Sequence, residues 1–243
     1  MELSTENVYD SSSFKEGIKG GASIAIGYLP IALTFGLLAK TTGLSFLDTV
    51  MMSLVVFAGA SQYIALSLIA LGSGVFEIIF TTFIVNIRHL LMSASLNEKV
   101  EDDSLLKKAV YAFGITDETF SVAAIKEGTV STRYIFGVTS ISYASWVVNS
   151  GIGFLIGANL PQTLQEGMTV ALYAMFVGLL VPSLKTSRKV LFLASFSAVI
   201  HSILAVLSIL STGWRIVAAT LLASVVVEAI EYVKKGKGNR NGE

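Results

Sequence analysis

Seven long apolar segments separated by polar stretches dominate the chain. Most of these segments reach the roughly 20 residues that a helix needs to cross about 30 Å of hydrocarbon. They are continuously apolar and do not alternate with period two, which argues against a transmembrane β-barrel. The pattern therefore predicts an all-α polytopic membrane protein, a bundle of six or seven transmembrane helices near 20–40, 48–71, 75–96, 134–158, 166–183, 189–210 and 213–233.

The first apolar segment is unusually rich in helix-perturbing residues, namely Gly20, Gly21, Gly27, Pro30 and Gly36. Such residues either pack and kink a transmembrane helix or break it, and broken helices mark binding sites in secondary transporters. We expect that at least the first segment is broken or re-entrant. A re-entrant segment would leave six crossings with the N-terminus in the cytoplasm, whereas a straight one would give seven with the N-terminus outside.

The basic residues indicate which loops face the cytoplasm. Lys and Arg concentrate in the loop 97–133 and in the C-terminal stretch 234–243, and such loops are retained inside. Residues 1–19 form a polar N-terminal segment without a signal-peptide pattern. We therefore expect a single transmembrane transport domain over 20–233 and a basic cytoplasmic tail over 234–243. The loop 97–133 is expected to carry an amphipathic helix that is interrupted at Gly114.

Polar side chains lie in the middle of the third apolar segment, in "FIVNIRHLLMSASL". Asn86 and His89 share one helical face, and Arg88 lies on another. Arg88 stands roughly 13 Å from the nearest loop, where an unpaired charge costs several kcal/mol. Two interpretations remain open: Arg88 binds a substrate carboxylate, or it holds the bundle together through helix-end carbonyls or an acid such as Asp117.

Other polar groups are weaker candidates. Gln62, beside Gly59 and Ser61, either packs helices closely or lines a cavity. His201, in the sixth segment, either relays a proton or bonds a serine. Asp117 and Glu118 are typical of a helix start.

Several function classes are disfavoured by what the chain lacks. It has two histidines, no cysteine, no His-Glu-x-x-His and no phosphate-binding loop, so we expect neither an enzyme nor a cofactor nor a metal. We expect no nucleic-acid partner either. A channel, a transporter for another small solute and a structural subunit of a membrane complex remain alternatives.

The motifs "GYLPIALTFGLLA", "FAGASQYIA", "NIRHLLMSASL", "GITDETF" and "EGMTVALYAMFVGLL" together resemble the AzlC family of branched-chain amino acid permeases, also called LIV-E exporters. The resemblance implies a multi-pass protein of the bacterial inner membrane that exports valine, leucine, isoleucine or analogues. It also implies a small AzlD-type membrane subunit as partner. One departure is Thr169, which stands where many members carry an acid, so this chain is expected to couple differently if that acid carries protons.

The chemical groups of an amino acid substrate suggest which residues could bind it. Its carboxylate needs a cation or a helix N-terminus, its ammonium needs oxygen acceptors, and a branched side chain needs a small apolar pocket. Driven by an ion gradient, such a transporter also needs a proton site. The substrate-site candidates are Arg88, Asn86, His89, Gln62, Ser61, Gly59, Pro30 and Tyr28, and those for proton coupling are His201, Asp117 and Glu118.

Overall fold

The computed structural model describes residues 3–156 and 159–240 of the 243-residue chain. Its regular elements are helices, and the described residues contain only an isolated β-bridge between Val100 and Val130. The predicted all-α class is confirmed. In chain order the helices are α1 (Leu3–Thr41), α2 (Phe46–Val55), α3 (Gly59–Ala70), α4 (Val75–Asn97), α5 (Leu105–Phe113), α6 (Asp117–Ile125), α7 (Thr132–Ile156), α8 (Gln162–Thr186), α9 (Arg188–Leu207) and α10 (Thr212–Arg240).

Several of these helices are long enough to cross a bilayer. Among the described residues, four stretches qualify by length and composition: Ser13–Thr41, Val75–Asn97, Arg188–Leu207 and Thr212–Ile230. Helices α7 and α8 have 25 residues each, about 38 Å at the α-helical rise. The chain is a multi-pass membrane protein, as predicted.

Contacts divide the chain into two compact units. The first unit comprises Met1–Leu66 and Val85–Ala171, and the second comprises Ser67–Ile84 and Leu172–Glu243. These two units do not correspond to the predicted division into a polar segment (1–19), one transport domain (20–233) and a tail (234–243). That division stays a prediction.

Helices α1 and α7 lie side by side and parallel in the first unit. Gly17 faces Gly137 near the helix starts, and Gly36 faces Ser150 towards the helix ends. A Cβ atom on Gly36 would collide with the backbone of α7. The glycines therefore let the two backbones touch, as small residues do in membrane helix pairs.

The start of α1 and the loop 97–133 lie at the same end of the first unit. Lys126 pairs with Glu16 at 3.1 Å, and its ammonium lies 4.0 Å from the ring centre of Tyr134 near the start of α7. Because α1 then runs parallel to α7, both helices lead from this end to the opposite one.

The first apolar segment is not broken. Helix α1 continues through Pro30 from Leu3 to Thr41, so the expectation of a broken or re-entrant first segment is wrong. Gly17 and Gly36 serve the close contact with α7 instead of interrupting the helix. A single proline is tolerated in a membrane helix, because neighbouring groups satisfy the carbonyl that it leaves free.

The break lies in the second apolar segment, predicted as one helix over 48–71. Helix α2 ends at Val55, its C-cap Val56 has an extended backbone (φ −120°, ψ 91°), and α3 begins at Gly59. The Gln62 amide donates to the Ser53 hydroxyl at 3.2 Å. A straight path would separate these residues by about 13 Å along the axis, so α2 and α3 form a helical hairpin.

This first hairpin enters the unit from the end opposite the loop 97–133. Phe46, at the start of α2, packs on Phe154 near the end of α7, with ring centres 5.7 Å apart. Towards the hairpin tip, the Tyr143 hydroxyl donates to the Leu54 carbonyl at 2.7 Å. The tip therefore lies about midway along α7.

Helices α5 and α6 form a second hairpin that enters from the other end. Helix α5 ends at the predicted Gly114, which lies against Thr139 of α7. The Phe113 ring packs on the Tyr143 ring at 5.8 Å. Thr139 and Tyr143 are roughly 10 and 16 Å along α7 from its start. The two hairpin tips therefore approach each other in the interior of the first unit, next to Tyr143.

Charged residues at the mouth of the second hairpin pair with each other. Lys107 bonds Asp103 and Lys108 bonds Asp102, each at 2.9 Å. The hydrogen bond from Lys108 lowers the pKa of Asp102, and the bond from Lys107 lowers the pKa of Asp103. These pairs are exposed and contribute little to stability.

Candidate substrate site at the hairpin tips

Arg88 and Asp117 form an ion pair at the tip of the second hairpin. The Arg88 Nη1 atom lies 2.7 Å from Asp117 Oδ2, with side-chain exposures of 35% and 26%. Asp117 occupies the first turn of α6, where the helix dipole favours an acid. The structure thus provides the acid partner that one interpretation of Arg88 named. The Arg88 Nε atom is buried and has no hydrogen-bond partner among the described residues, so the guanidinium retains a donor for a ligand.

Tyr28 joins the second acid of α6 to α1. Its hydroxyl donates to Glu118 Oε2 at 2.5 Å and lies 2.8 Å from the Thr116 hydroxyl. The Tyr28 ring packs edge-on against Trp146, with centres 5.3 Å apart. Tyr28 is therefore a polar anchor set in an aromatic wall.

Thr116 positions both acids by capping α6. Its hydroxyl accepts from the Thr119 amide at 3.3 Å, and the Thr119 hydroxyl accepts from the Thr116 amide at 2.7 Å. This reciprocal cap fixes where α6 begins. Thr116 was not among the residues predicted from the sequence, although a threonine immediately before two acids is the signal for a helix cap.

His89 lies next to Arg88 on α4 and faces the same region. Its ring interacts with the backbone of Ile115 at the second hairpin tip and with the charges of Arg88 and Asp117. The buried Nε2 atom has no hydrogen-bond partner in the described part of the chain. His89 therefore offers an additional polar atom beside the ion pair.

Asn86 connects α4 to the first hairpin. The Ser61 hydroxyl, in the first turn of α3, donates to Asn86 Oδ1 in a short hydrogen bond. Ser61 is buried. Helix α4 thus contacts the first hairpin through Asn86 and the second through Arg88, two residues further along the helix.

Gln62 has partners at both ends of its amide. It donates to Ser53, and its Oε1 atom accepts from Trp146 Nε1 at 2.9 Å. The side chain is fully buried. The structure therefore favours a positioning role for Gln62 over direct contact with substrate. Gly59 packs against the Trp146 ring, and the Pro30 carbonyl accepts from Thr34 at 2.8 Å, so neither provides a polar group to the tips.

His201 belongs to the second unit and is not part of this cluster. It lines a cavity of about 380 Å³ between α9 and α10, together with Ser197 and Thr220. Its Nε2 atom is buried and lacks a hydrogen-bond partner within the described residues. A relay role for His201 stays a prediction. Thr169 lies in α8, and its side chain lies outside the described part of the structure.

Glu77 is a buried acid that was not among the residues predicted from the sequence. Its Oε1 atom accepts from Ser211 at 2.6 Å and from the Gly213 amide at 2.7 Å. Glu77 therefore caps the N-terminus of α10, where the helix dipole stabilises its negative charge. The cap spans more than 130 residues of sequence, so no local motif signals it.

We call the side chains of Tyr28, Arg88, His89, Asp117 and Glu118 the tip cluster. Its ion pair can open and bind a ligand of matching charges without leaving a charge unpaired. A zwitterion carries one carboxylate and one ammonium, and the Arg88–Asp117 pair carries one guanidinium opposite one carboxylate. A carboxylate ligand matches Arg88, and an ammonium ligand matches Asp117. Both side chains are partly exposed, so a ligand can reach the pair.

Comparisons with known proteins place the chain in a family. The family model for the AzlC protein matches residues 23–160, a region that contains both hairpins and the whole tip cluster but not His201. An uncharacterized membrane protein of Archaeoglobus fulgidus is 32% identical over 72% of this chain and 78% of its own length. No solved structure matches the chain.

Two named relatives are also similar. The inner membrane protein YgaZ of Escherichia coli is 32% identical over 74% of this chain and 76% of its own length. The branched-chain amino acid transport protein AzlC of Bacillus subtilis is 24% identical over 73% of this chain and 70% of its own length. On the family match and these identities, the chain belongs to the AzlC family of membrane proteins.

Proposed function

We propose that this protein is a secondary transporter that exports branched-chain amino acids across the cytoplasmic membrane of a bacterium. Family membership and the name of the Bacillus subtilis relative support the substrate class. The observation that carries the proposal is the Arg88–Asp117 ion pair at the tip of the second hairpin. An ion pair within a membrane bundle is costly unless a structural or ligand role retains it.

Substrate binding exchanges one ion pair for two. The substrate carboxylate binds Arg88, and the substrate ammonium binds Asp117, so neither protein charge is left unpaired. Ser61 and Asn86 border the same region through α3 and α4, and Tyr28 and Phe57 offer apolar surface for the branched side chain. Each charge is satisfied before and after binding, which keeps the cost of exchange low.

The energy comes from an ion gradient, with a proton as the coupling ion. Glu118 is the preferred carrier, because its carboxylate is held by the hydroxyl of Tyr28 next to the substrate charges. His201 is the alternative carrier. A small membrane subunit of the AzlD type completes the transporter, as expected from the family resemblance.

Efflux from preloaded cells tests the proposal. Cells without their own exporters are loaded with labelled valine, leucine or isoleucine, and express this chain alone or with a candidate small subunit. Saturable efflux that Arg88→Gln abolishes is expected, whereas Lys107→Gln, which removes an exposed ion pair, should leave efflux intact. Normal efflux from Arg88→Gln at equal protein levels would refute the carboxylate assignment.

The same experiment separates the alternative functions. A channel would give flux that does not saturate and no counterflow. A transporter for another solute would give no efflux of these three amino acids but would respond in a wider screen. A structural subunit would remain inactive for every solute, with or without its partner.

A further inference from the structure

A large open cavity lies between α9 and α10 in the second unit, apart from the tip cluster. Its volume is about 570 Å³, and it extends from Arg188 and Lys189 at the start of α9 to Phe196 and, on α10, Ile230. It is distinct from the smaller cavity around His201, with which it shares no lining residue. The proposed transport mechanism assigns it no role.

The cavity has a basic rim. Arg188 is the first residue of α9 and is exposed. Lys189 pairs with Glu228 across the rim at 2.6 Å, and Arg188 lines the same rim. The N-terminus of α9, which Ser187 caps, adds the partial positive charge of the helix dipole at the same place. The rim therefore favours a negatively charged group.

The cavity wall below the rim is apolar and open to its surroundings. Phe192 and Phe196 are 61% and 44% exposed, and Ile230 on the facing helix is 49% exposed. From Arg188 to Phe196 the wall runs about 12 Å along α9. A water-soluble anion on Arg188 would leave this wall uncovered, whereas a ligand with an apolar chain covers both.

We propose that this cavity binds one anionic phospholipid, with its phosphate on Arg188 and an acyl chain along Phe192 and Phe196. The rim lies at the end of two membrane-crossing stretches, Arg188–Leu207 and Thr212–Ile230, at headgroup depth. The basic turn between α8 and α9 indicates the cytoplasmic side, the leaflet in which anionic lipids attract juxtamembrane arginine. Charge and depth together select an anionic lipid over a neutral one.

Native mass spectrometry of the purified full-length protein tests the site. The protein is exchanged into equal amounts of dioleoyl phosphatidylglycerol and dioleoyl phosphatidylcholine, which have the same chains. We expect the wild type to retain phosphatidylglycerol preferentially. Arg188→Gln should reduce this retention about fivefold, the effect of one arginine near an anionic surface. Lys185→Gln is the matched control, because Lys185 is an exposed base three residues away that does not line the cavity, and it should change nothing.

Two further arms make the outcome decisive. Phe192→Ser should lower retention of the anionic lipid, since it removes part of the apolar wall. Glycerol phosphate, which has the charge but no chain, should not raise the Tm of the protein, whereas phosphatidylglycerol should. Equal retention of the two lipids by the wild type, an equal loss in Lys185→Gln, or stabilisation by glycerol phosphate alone would each overturn the proposal. The wild-type comparison needs no variant and stands even if Arg188→Gln does not fold.

Discussion

Tyr28 and Glu118 are 90 residues apart in sequence, yet the Tyr28 hydroxyl donates a 2.5 Å hydrogen bond to the Glu118 carboxylate. This bond joins the membrane-spanning α1 to the first turn of α6, a helix in the most polar stretch of the chain. The neighbouring acid, Asp117, pairs with Arg88 of α4. Glu118 thus binds α1 and the adjacent Asp117 binds α4. The effects of breaking these two contacts should be separable.

Replacing Tyr28 by Phe should lower the free energy of unfolding by about 1 to 2 kcal/mol. The change removes the bonds to Glu118 and Thr116 and leaves a partly buried carboxylate oxygen without its donor. Thermal unfolding in detergent, followed by tryptophan fluorescence, measures the loss. Tyr134→Phe is the control, because that hydroxyl has no hydrogen-bond partner among the described residues. An equal Tm for the wild type and Tyr28→Phe would contradict the bond.

Exchanging the charges of Arg88 and Asp117 should separate stability from transport. Either Arg88→Asp or Asp117→Arg alone leaves two like charges in contact and should cost about 1 to 3 kcal/mol, less than a fully buried pair because both side chains are partly exposed. The double exchange restores the pair and should recover most of this stability. It should not recover efflux, since the cation moves from α4 to the hairpin tip. Recovery of both would indicate that the pair is only structural.

Because α1 and α7 are in contact, substitutions of different glycines in α1 should have different effects on stability. Gly36→Ala should destabilise the protein by more than about 3 kcal/mol, because its Cβ atom would meet the backbone of Ser150 and Phe154 and no side chain can move aside. Gly27→Ala is the matched control on the same helix: its Cβ atom would have no neighbour within 4 Å. That change should be neutral or stabilise by up to about 1 kcal/mol. Expression level and Tm in detergent measure both. Similar values for the two variants would mean that α1 and α7 are not in backbone contact.

Replacing Gln62 by Met should lower the stability of the protein without changing its affinity for substrate. Gln62→Met keeps the volume but leaves Trp146 Nε1 and Ser53 without partners, at a cost of about 2 to 4 kcal/mol. The substrate KM of the protein that remains folded should be unchanged, because Gln62 is closed off from the cluster. A raised KM with an unchanged Tm would instead restore Gln62 as a substrate ligand.

The apolar pattern was sufficient to predict helices and a membrane, because hydrocarbon thickness fixes the length of any crossing helix. It was not sufficient to locate the break. Glycine and proline in the first segment are consistent both with an interrupted helix and with close packing. Only the contact of Gly36 with α7 distinguishes the two. The second segment looked continuous because Phe57 and Ala58 at the break are as apolar as the helices that they join.

The site was predicted in part for a related reason. An arginine inside a membrane helix demands a partner, so Arg88 and its possible pairing with Asp117 were visible in sequence. The bond between Tyr28 and Glu118 was not, since the sequence does not show which group satisfies a buried tyrosine hydroxyl. Gln62 looked like a ligand because its partners, Ser53 and Trp146, depend on the hairpin fold.

Helix direction gives the final prediction, which concerns the side of the membrane on which each end of α1 lies. The pairing of Lys126 with Glu16 places the start of α1 and the loop 97–133 at one end of the first unit. Because the chain has no native cysteine, single cysteines can be introduced directly. Lys15→Cys and Lys107→Cys should react with an impermeant maleimide from the cytoplasmic side, and Thr41→Cys only from the outside. Seven straight crossings would instead expose Lys15→Cys and Lys107→Cys on opposite sides. Labelling of Lys15→Cys from outside would therefore contradict both the parallel packing of α1 with α7 and the hairpin formed by α2 and α3.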